Sequence, residues 1–436
     1  MNKLFMRNIL QKRSSFLVAA LAVCLTLPAA GGDVFHAVVA ADGTGDYTSV
    51  QQAIDAAPSE RTAPWLIFVK NGSYEESVTV PADKPFIHLI GQDKATTTIH
   101  RALNVGGRPE AGKDSSYWAC SVHNPQSPVY RAEGSVVTVK ANDFYTSGIT
   151  YTNDFGVESQ SGPQALAMKS QGDRASFFDC AFRSFQDTWM TTQKDAYRHY
   201  IKNCFIEGAV DYFYGGGNAL LEYCTLYNVR RGSVIVAPCH KTAKWGYVFR
   251  HCTIDGNAEA ARDAKTKLGR PWHDSPRAVY IHTTMRIPIA PERWTDMGAI
   301  PALFAEYDSR DAQGNPVDLS RRKSYYKGRG DNPPTGSCPT TVTKAEADNM
   351  VYENIIPGTD GWNPREMMHR LPAPQDVKAK GKSVEWKPVE GAIGYVVLSG
   401  DRIVGITDEA LLSLSSPVGN EALRVRAVNR YGTLGE

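Results

Sequence analysis

Residues 177–190 read FFDCAFRSFQDTWM, and residues 201–214 read IKNCFIEGAVDYFY. Laid one above the other, both segments carry an apolar residue first, a cysteine fourth and an aspartate eleventh. The cysteine frame recurs in LEYCTL around Cys224 and in FRHCTI around Cys252, so Cys180, Cys204, Cys224 and Cys252 follow at spacings of 24, 20 and 28. Each has an apolar residue three places before it and another two places after. Short alternating strands at such a period, with no helical pattern between them, predict the coils of a parallel β-helix. Stacked coils then lie about 4.8 Å apart, the spacing of hydrogen-bonded strands.

That register gathers chemistry. Asp187 and Asp211 each lie seven residues after a frame cysteine. Equivalent frames project both carboxyl groups from one place on adjacent coils. One coil upstream, GPQALAM sets Gln164 about as far before Gln186 as Asp187 stands before Asp211. The expected result is a column of Gln164, Gln186–Asp187 and Asp211 on a rigid sheet, a good platform for chemistry at fixed distances. Any one of these on a solenoid's outer face is ordinarily just solvated. Here Phe185 and Trp189 flank one aspartate, and Tyr212, Phe213 and Tyr214 follow the other. A carboxylate among aromatics is costly to desolvate and calls for a partner. KLGRPWHDSPRAVYIHT (267–283) offers one. Arg270 can pair with Asp211 and Trp272 can stack on a sugar face, although a surface salt bridge and a core plug fit these two residues equally well.

The chain has 436 residues, 42% hydrophobic and 22% charged, with net charge +2. No run of five basic residues occurs, so nucleic acid is not an expected partner. Lys3, Arg7, Lys12 and Arg13 precede the apolar run SFLVAALAVCLTL and the small residues PAAGG. This order predicts a secretory signal over residues 1–31 and a secreted or periplasmic mature chain without a membrane span. Seven cysteines follow that leader, an odd number. The four in the frame form either a buried ladder of small side chains or disulfides between neighbouring coils. No C-x-x-C pair and no H-E-x-x-H is present, so no metal site is expected.

Several stretches together resemble the pectin methylesterase (pectinesterase) family: GTGDYTSVQQAIDAAP, NGSYEE, GPQALAM, FFDCAFRSFQDTWM, NCFIEGAVDYFYGGGNALLEYC and LGRPW, in the family's order over roughly residues 36–370. The resemblance implies a right-handed parallel β-helix that cleaves methyl esters of polygalacturonate, with no cofactor. It assigns the nucleophile to Asp211, the acid/base to Asp187, the anion-stabilising amides to Gln164 and Gln186, and the family's arginine to Arg270. Val210, Tyr214 and Trp272 match substrate-lining positions. The chain departs from the family at Trp189 and Met190, and at YFYG followed by two further glycines.

The residue types suit that chemistry. Ester hydrolysis needs a nucleophile, a proton for the departing alcohol and donors for the oxyanion. No G-x-S-x-G elbow exists here. Two carboxyls suffice if an arginine favours the charged form of one while negative charge and aromatic walls keep the other protonated. A β-helical lyase would want a calcium-binding carboxylate cluster, and a glycosidase two separated acids. A non-catalytic polysaccharide binder is the third alternative, and acid, amide and arginine together argue against it.

After residue 370 the character changes. SVEWKPVEGAIGYVVLSGDRIVGIT and LRVRAVNRYGTLGE predict a small β-sandwich over 371–436. Trp386, Tyr395 and RVRAVNRYG resemble a fibronectin type III module whose last strand is cut short, with an inert spacer as the simplest role. The expected architecture is thus all-β, with a catalytic β-helix over 32–370, the sandwich behind it, and a monomeric enzyme acting on methyl-esterified homogalacturonan.

Overall fold

The computed structural model describes residues 34–113, 115–417 and 422–436. The expected leader, with Cys24, lies outside the described residues. Three parallel sheets of ten, eight and nine strands run the length of a right-handed β-helix, and each coil contributes one strand to each. Right-handed crossovers are the norm for parallel strands.

The cysteine frame is the coil register. Phe177 pairs with Ile201, Ile201 with Leu221 and Leu221 with Phe249, all three before a frame cysteine. Phe182, Ile206, Leu226 and Ile254 form the matching row of the nine-stranded sheet. The first row extends to Ala37, Ile67, Leu89 and Thr146 above, and to Tyr280 and Glu306 below. These inward rows form the core. The residue before each frame cysteine turns the corner in the left-handed region: Asp179, Asn203, Tyr223 and His251 have φ of 51–56°. Aspartate, asparagine and histidine tolerate this conformation better than most residues, and tyrosine is the unusual member. The four cysteines are buried, and all seven described cysteines are free thiols, so the frame is an unbridged ladder.

Short helices close the upper end and cover one side. Ser49 caps Val50–Ala56, whose Val50, Ala53 and Ile54 plug the first coils. Beyond the last coils, Lys344–Asn349, Tyr352–Ile355 and Pro364–Met367 lie on the outer face of the ten-stranded sheet, where Tyr352 meets Tyr200 edge to face at 5.0 Å. No helix among the described residues is long and apolar enough to cross a membrane.

The C-terminal segment is a small sandwich of two three-stranded antiparallel sheets. In Ala392–Ser399 the alternation of strand side chains divides two cores. Tyr395 and Val397 pack inward with Trp386 and Val384, while Val396 and Leu398 join Val34, Phe68 and Ile90 of the β-helix. Polar contacts lock the joint: the Gln92 amide donates to the Asp401 carbonyl at 2.6 Å, and Tyr145 and Thr433 hydroxyls lie 2.7 Å apart. The module is docked, not strung on a linker. Its end begins a further edge strand, with Leu434 bridged antiparallel to Val428.

Candidate active site

The two aspartates stand on neighbouring coils of the eight-stranded sheet. Trp189 pairs with Phe213 and Met190 with Tyr214, which fixes Asp187 opposite Asp211; the Asp187 amide donates to the Val210 carbonyl at 2.9 Å. Both aspartates adopt positive φ, 62° and 50°. Such backbone is uncommon outside glycine and is held where surrounding structure over-determines it. At Asp211 the sheet register shifts between Val210 and Phe213, so the strand Val210–Gly215 bulges where its carboxylate emerges. The following glycines let the chain leave tightly. Gly215 and Gly217 have φ of 111° and 77°, and a Cβ on Gly216 would stand 2.7 Å from the Cys239 carbonyl oxygen.

Asp211 is buried and gripped by Arg270. The guanidinium donates through Nε to Oδ1 at 2.8 Å and through Nη2 to Oδ2 at 2.6 Å, the fork geometry of a strong charge-assisted pair. Arg270 follows the strand Lys267–Gly269, and its amide donates to the Val236 carbonyl, so the next coils aim it. Asp187 behaves oppositely. Burial and, after it, the negative charge of Asp211 push its carboxyl well above the ordinary carboxylate range, against the opposing pull of Arg270 and a hydrogen bond from Tyr214. The Tyr214 hydroxyl is itself driven upward by burial and by Asp187, which keeps it a donor. One acid is paired and the other holds its proton.

The glutamines approach from the coil above. The Ala165 amide donates to the Gln186 carbonyl at 3.1 Å, so Gln164 borders Gln186 diagonally. A Cβ on Gly162 would lie 2.8 Å from Gln186 Oε1, so the Gln186 side chain runs alongside the 162–164 turn. Both glutamines are half-buried, available to a ligand in the groove. Val210 bridges Gln186 at the lip. Trp272 meets Tyr214 edge to face at 5.6 Å and, with Leu166, Met190, Ala237 and Met297, forms an apolar wall. Trp189 faces the other way and is wholly buried in the core between Phe182 and Phe213.

Sequence reasoning missed Arg230 and the methionines. Arg230 lies over the Phe185 ring at 5.6 Å, and burial, then Arg270, lowers its pKa. It brings a second cation to the lip, suited to an acidic sugar. Its signal was NVRRGS, one coil below Asp211, where Val234 pairs with Val210. Met190 and Met297 are flexible, polarisable gap-fillers with no motif to betray them.

The Pectinesterase family model matches residues 36–330. Pectinesterase 31 of Arabidopsis thaliana is 33% identical over 286 residues, 62% of this chain and 80% of that protein. A pectinesterase of Petunia integrifolia is 28% identical over 310 residues, 67% and 75% of the two chains. Among solved structures, carrot pectin methylesterase superposes with TM-score 0.59 at 24% identity, covering 75% of this chain and 94% of that one. The Aspergillus niger enzyme gives 0.55 at 25%, covering 76% and 98%. A pectin methylesterase in complex with a hexasaccharide gives 0.56 at 23%, covering 74% and 98%. With the family's motifs in order on the coils of its fold, the chain belongs to the pectinesterase family.

Proposed function

We propose that the protein de-esterifies pectin through an aspartate nucleophile, Asp211, with Asp187 as proton donor and acceptor. The observation that carries this reading is the asymmetric pair: Asp211 is bound by both arms of Arg270, while burial and Asp211 hold Asp187 protonated. Asp211 attacks the C6 carbonyl of a methyl-galacturonate, and the Gln164 and Gln186 amides donate to the developing oxyanion. Asp187 gives its proton to the departing methoxide, releasing methanol and leaving an acyl–aspartate anhydride. It then takes a proton from the water that attacks the anhydride, restoring both carboxyls and freeing a galacturonate carboxylate. No cofactor enters these steps.

Trp272 and Tyr214 stack and orient the sugar, Val210 borders the ester, and Arg230 faces a neighbouring carboxylate. The related enzyme solved with a hexasaccharide supports a polymer lying along such a groove. Every group in the scheme comes from one chain, which supports action as a monomer, and a polymeric substrate supports work outside the cytoplasm. Residues 371–436 act in this reading as a fixed fibronectin-type module behind the catalytic β-helix of 32–370. The test is methanol release and acid production from highly methylated pectin in a pH-stat. Folded Asp211→Ala must be silent; near-normal turnover by that variant refutes the assignment, and shortened or unsaturated chains would point to a glycosidase or lyase.

A further inference from the structure

The joint between β-helix and sandwich encloses a cavity of about 290 Å³. It opens beside the corner that precedes Cys180, whereas the aspartate pair lies past the next strand, so the two are separate places on one coil. Lys94 comes from the β-helix, Arg370 from the connecting tail, and Arg424 and Arg426 from the sandwich strand Leu423–Asn429. Against these four cations stand Asp93, Asp179 and Glu436. Asp179 is shared by two of them: Lys94 lies 2.6 Å from one oxygen, and Arg370 grips the other. One Asp93 oxygen is occupied by the Ala95 amide at 2.8 Å.

Arg426 is the telling residue. Its guanidinium is half-buried, yet it donates only to backbone carbonyls, Gly435 at 3.0 Å and Gln92 at 3.1 Å. Burial, then Arg370 and Arg424, lowers its pKa to about 10. Arg424 is exposed and makes no salt bridge among the described residues. A buried cation is normally matched by a carboxylate. Three guanidiniums therefore converge on a pocket where their repulsion is only partly offset. Planar guanidiniums prefer carboxylates in forked geometry, and pockets for small ligands favour such joints between modules.

We propose that this joint is a second binding site, for the carboxylate of a de-esterified galacturonate residue at the end of a pectate chain. The ligand class rests on the esterase reading above, because that reaction turns neutral esters into such carboxylates. At about 290 Å³ the cavity stands at the lower edge of the ~300–1,000 Å³ range of small-ligand sites. It suits one terminal sugar better than a chain running through. Product captured here would hold the enzyme on stretches it has already processed.

Calorimetric titration with trigalacturonate tests this. The unaltered protein should show two classes of site, groove and joint. Arg424→Glu, an exposed change that leaves the fold intact, should weaken one class at least tenfold while methanol release from pectin stays unchanged. Arg426→Gln should do the same, checked for folding by its melting curve. Identical isotherms for the variants and the unaltered protein would overturn the site. So would equal occupation by inorganic phosphate, or by the fully methylated trimer. A joint class that persists in a protein releasing no methanol would count against the ester chemistry and for this site.

Discussion

Two outer faces of one solenoid can be compared directly, because the same coils build both. The ten-stranded sheet presents Val38, Phe68, Ile90, Tyr145, Tyr200, Leu220, Val248 and Val279 outward, and the helical tail and sandwich cover them. The eight-stranded sheet stays open over its middle coils, and there it presents Gln164, Gln186, Asp187, Asp211 and Arg270. Backbone and register are alike on the two sides. The difference lies in what the side chains need. Apolar rows are satisfied by burial under another layer, whereas the acid pair is satisfied by an arginine and a shared proton. One face spends the fold's stability on chemistry; the other recovers it by packing.

Breaking the open face should abolish turnover without harming the fold. Asp211→Ala should lower methanol release by about 10⁴-fold or more, as removal of a nucleophile does, with an unchanged circular dichroism spectrum. Asp187→Asn should cost on the order of 10²–10⁴-fold, the usual contribution of a general acid–base. The same change should raise the melting temperature at neutral pH. The sign follows from linkage: the folded state holds this proton more tightly than the unfolded chain, so the stability it contributes is complete below the unfolded pKa near 3.8 and is lost as pH rises through the elevated folded value. An asparagine carries no such penalty. Turnover of the unaltered enzyme should fall along the same alkaline limb as Asp187 gives up its proton. Gln186→Ala should cost about 10²–10³-fold, the worth of one oxyanion donor.

The covered face should respond in the opposite way. Leu398, buried between sandwich and β-helix, should cost about 2–5 kcal/mol of stability when cut to alanine. Methanol release below the melting temperature should not change. A large loss of turnover there would mean that the sandwich shapes the catalytic groove.

The open face was legible because its information is periodic. Counting seven from each cysteine placed Asp187 and Asp211 on adjacent coils, and the GRPW turn supplied an arginine in range. The two uses of Arg270 left open by the residues resolve into a forked bond to Asp211. Counting failed at Gln164, where the chain reaches its strand through a turn and sits diagonal to Gln186. The docking of the sandwich was not read, although a signal existed. WLIFV and RAVYI carry near-continuous apolar runs, the mark of strands buried on both faces. Which segment covers such a face depends on shape matching between distant parts of the chain, and local sequence does not encode it. Arg230 escaped because an arginine becomes part of a site only through its place on the coil.

The most direct test reads the proton itself. Infrared difference spectra of unaltered protein against Asp187→Asn and against Asp211→Asn, taken about one unit above the ordinary carboxylate range, report which carboxyl is protonated. The account predicts that a protonated-carboxyl C=O band disappears in Asp187→Asn, and that Asp211→Asn removes a carboxylate band. A band lost instead with Asp211, or no protonated carboxyl at either place, would contradict it.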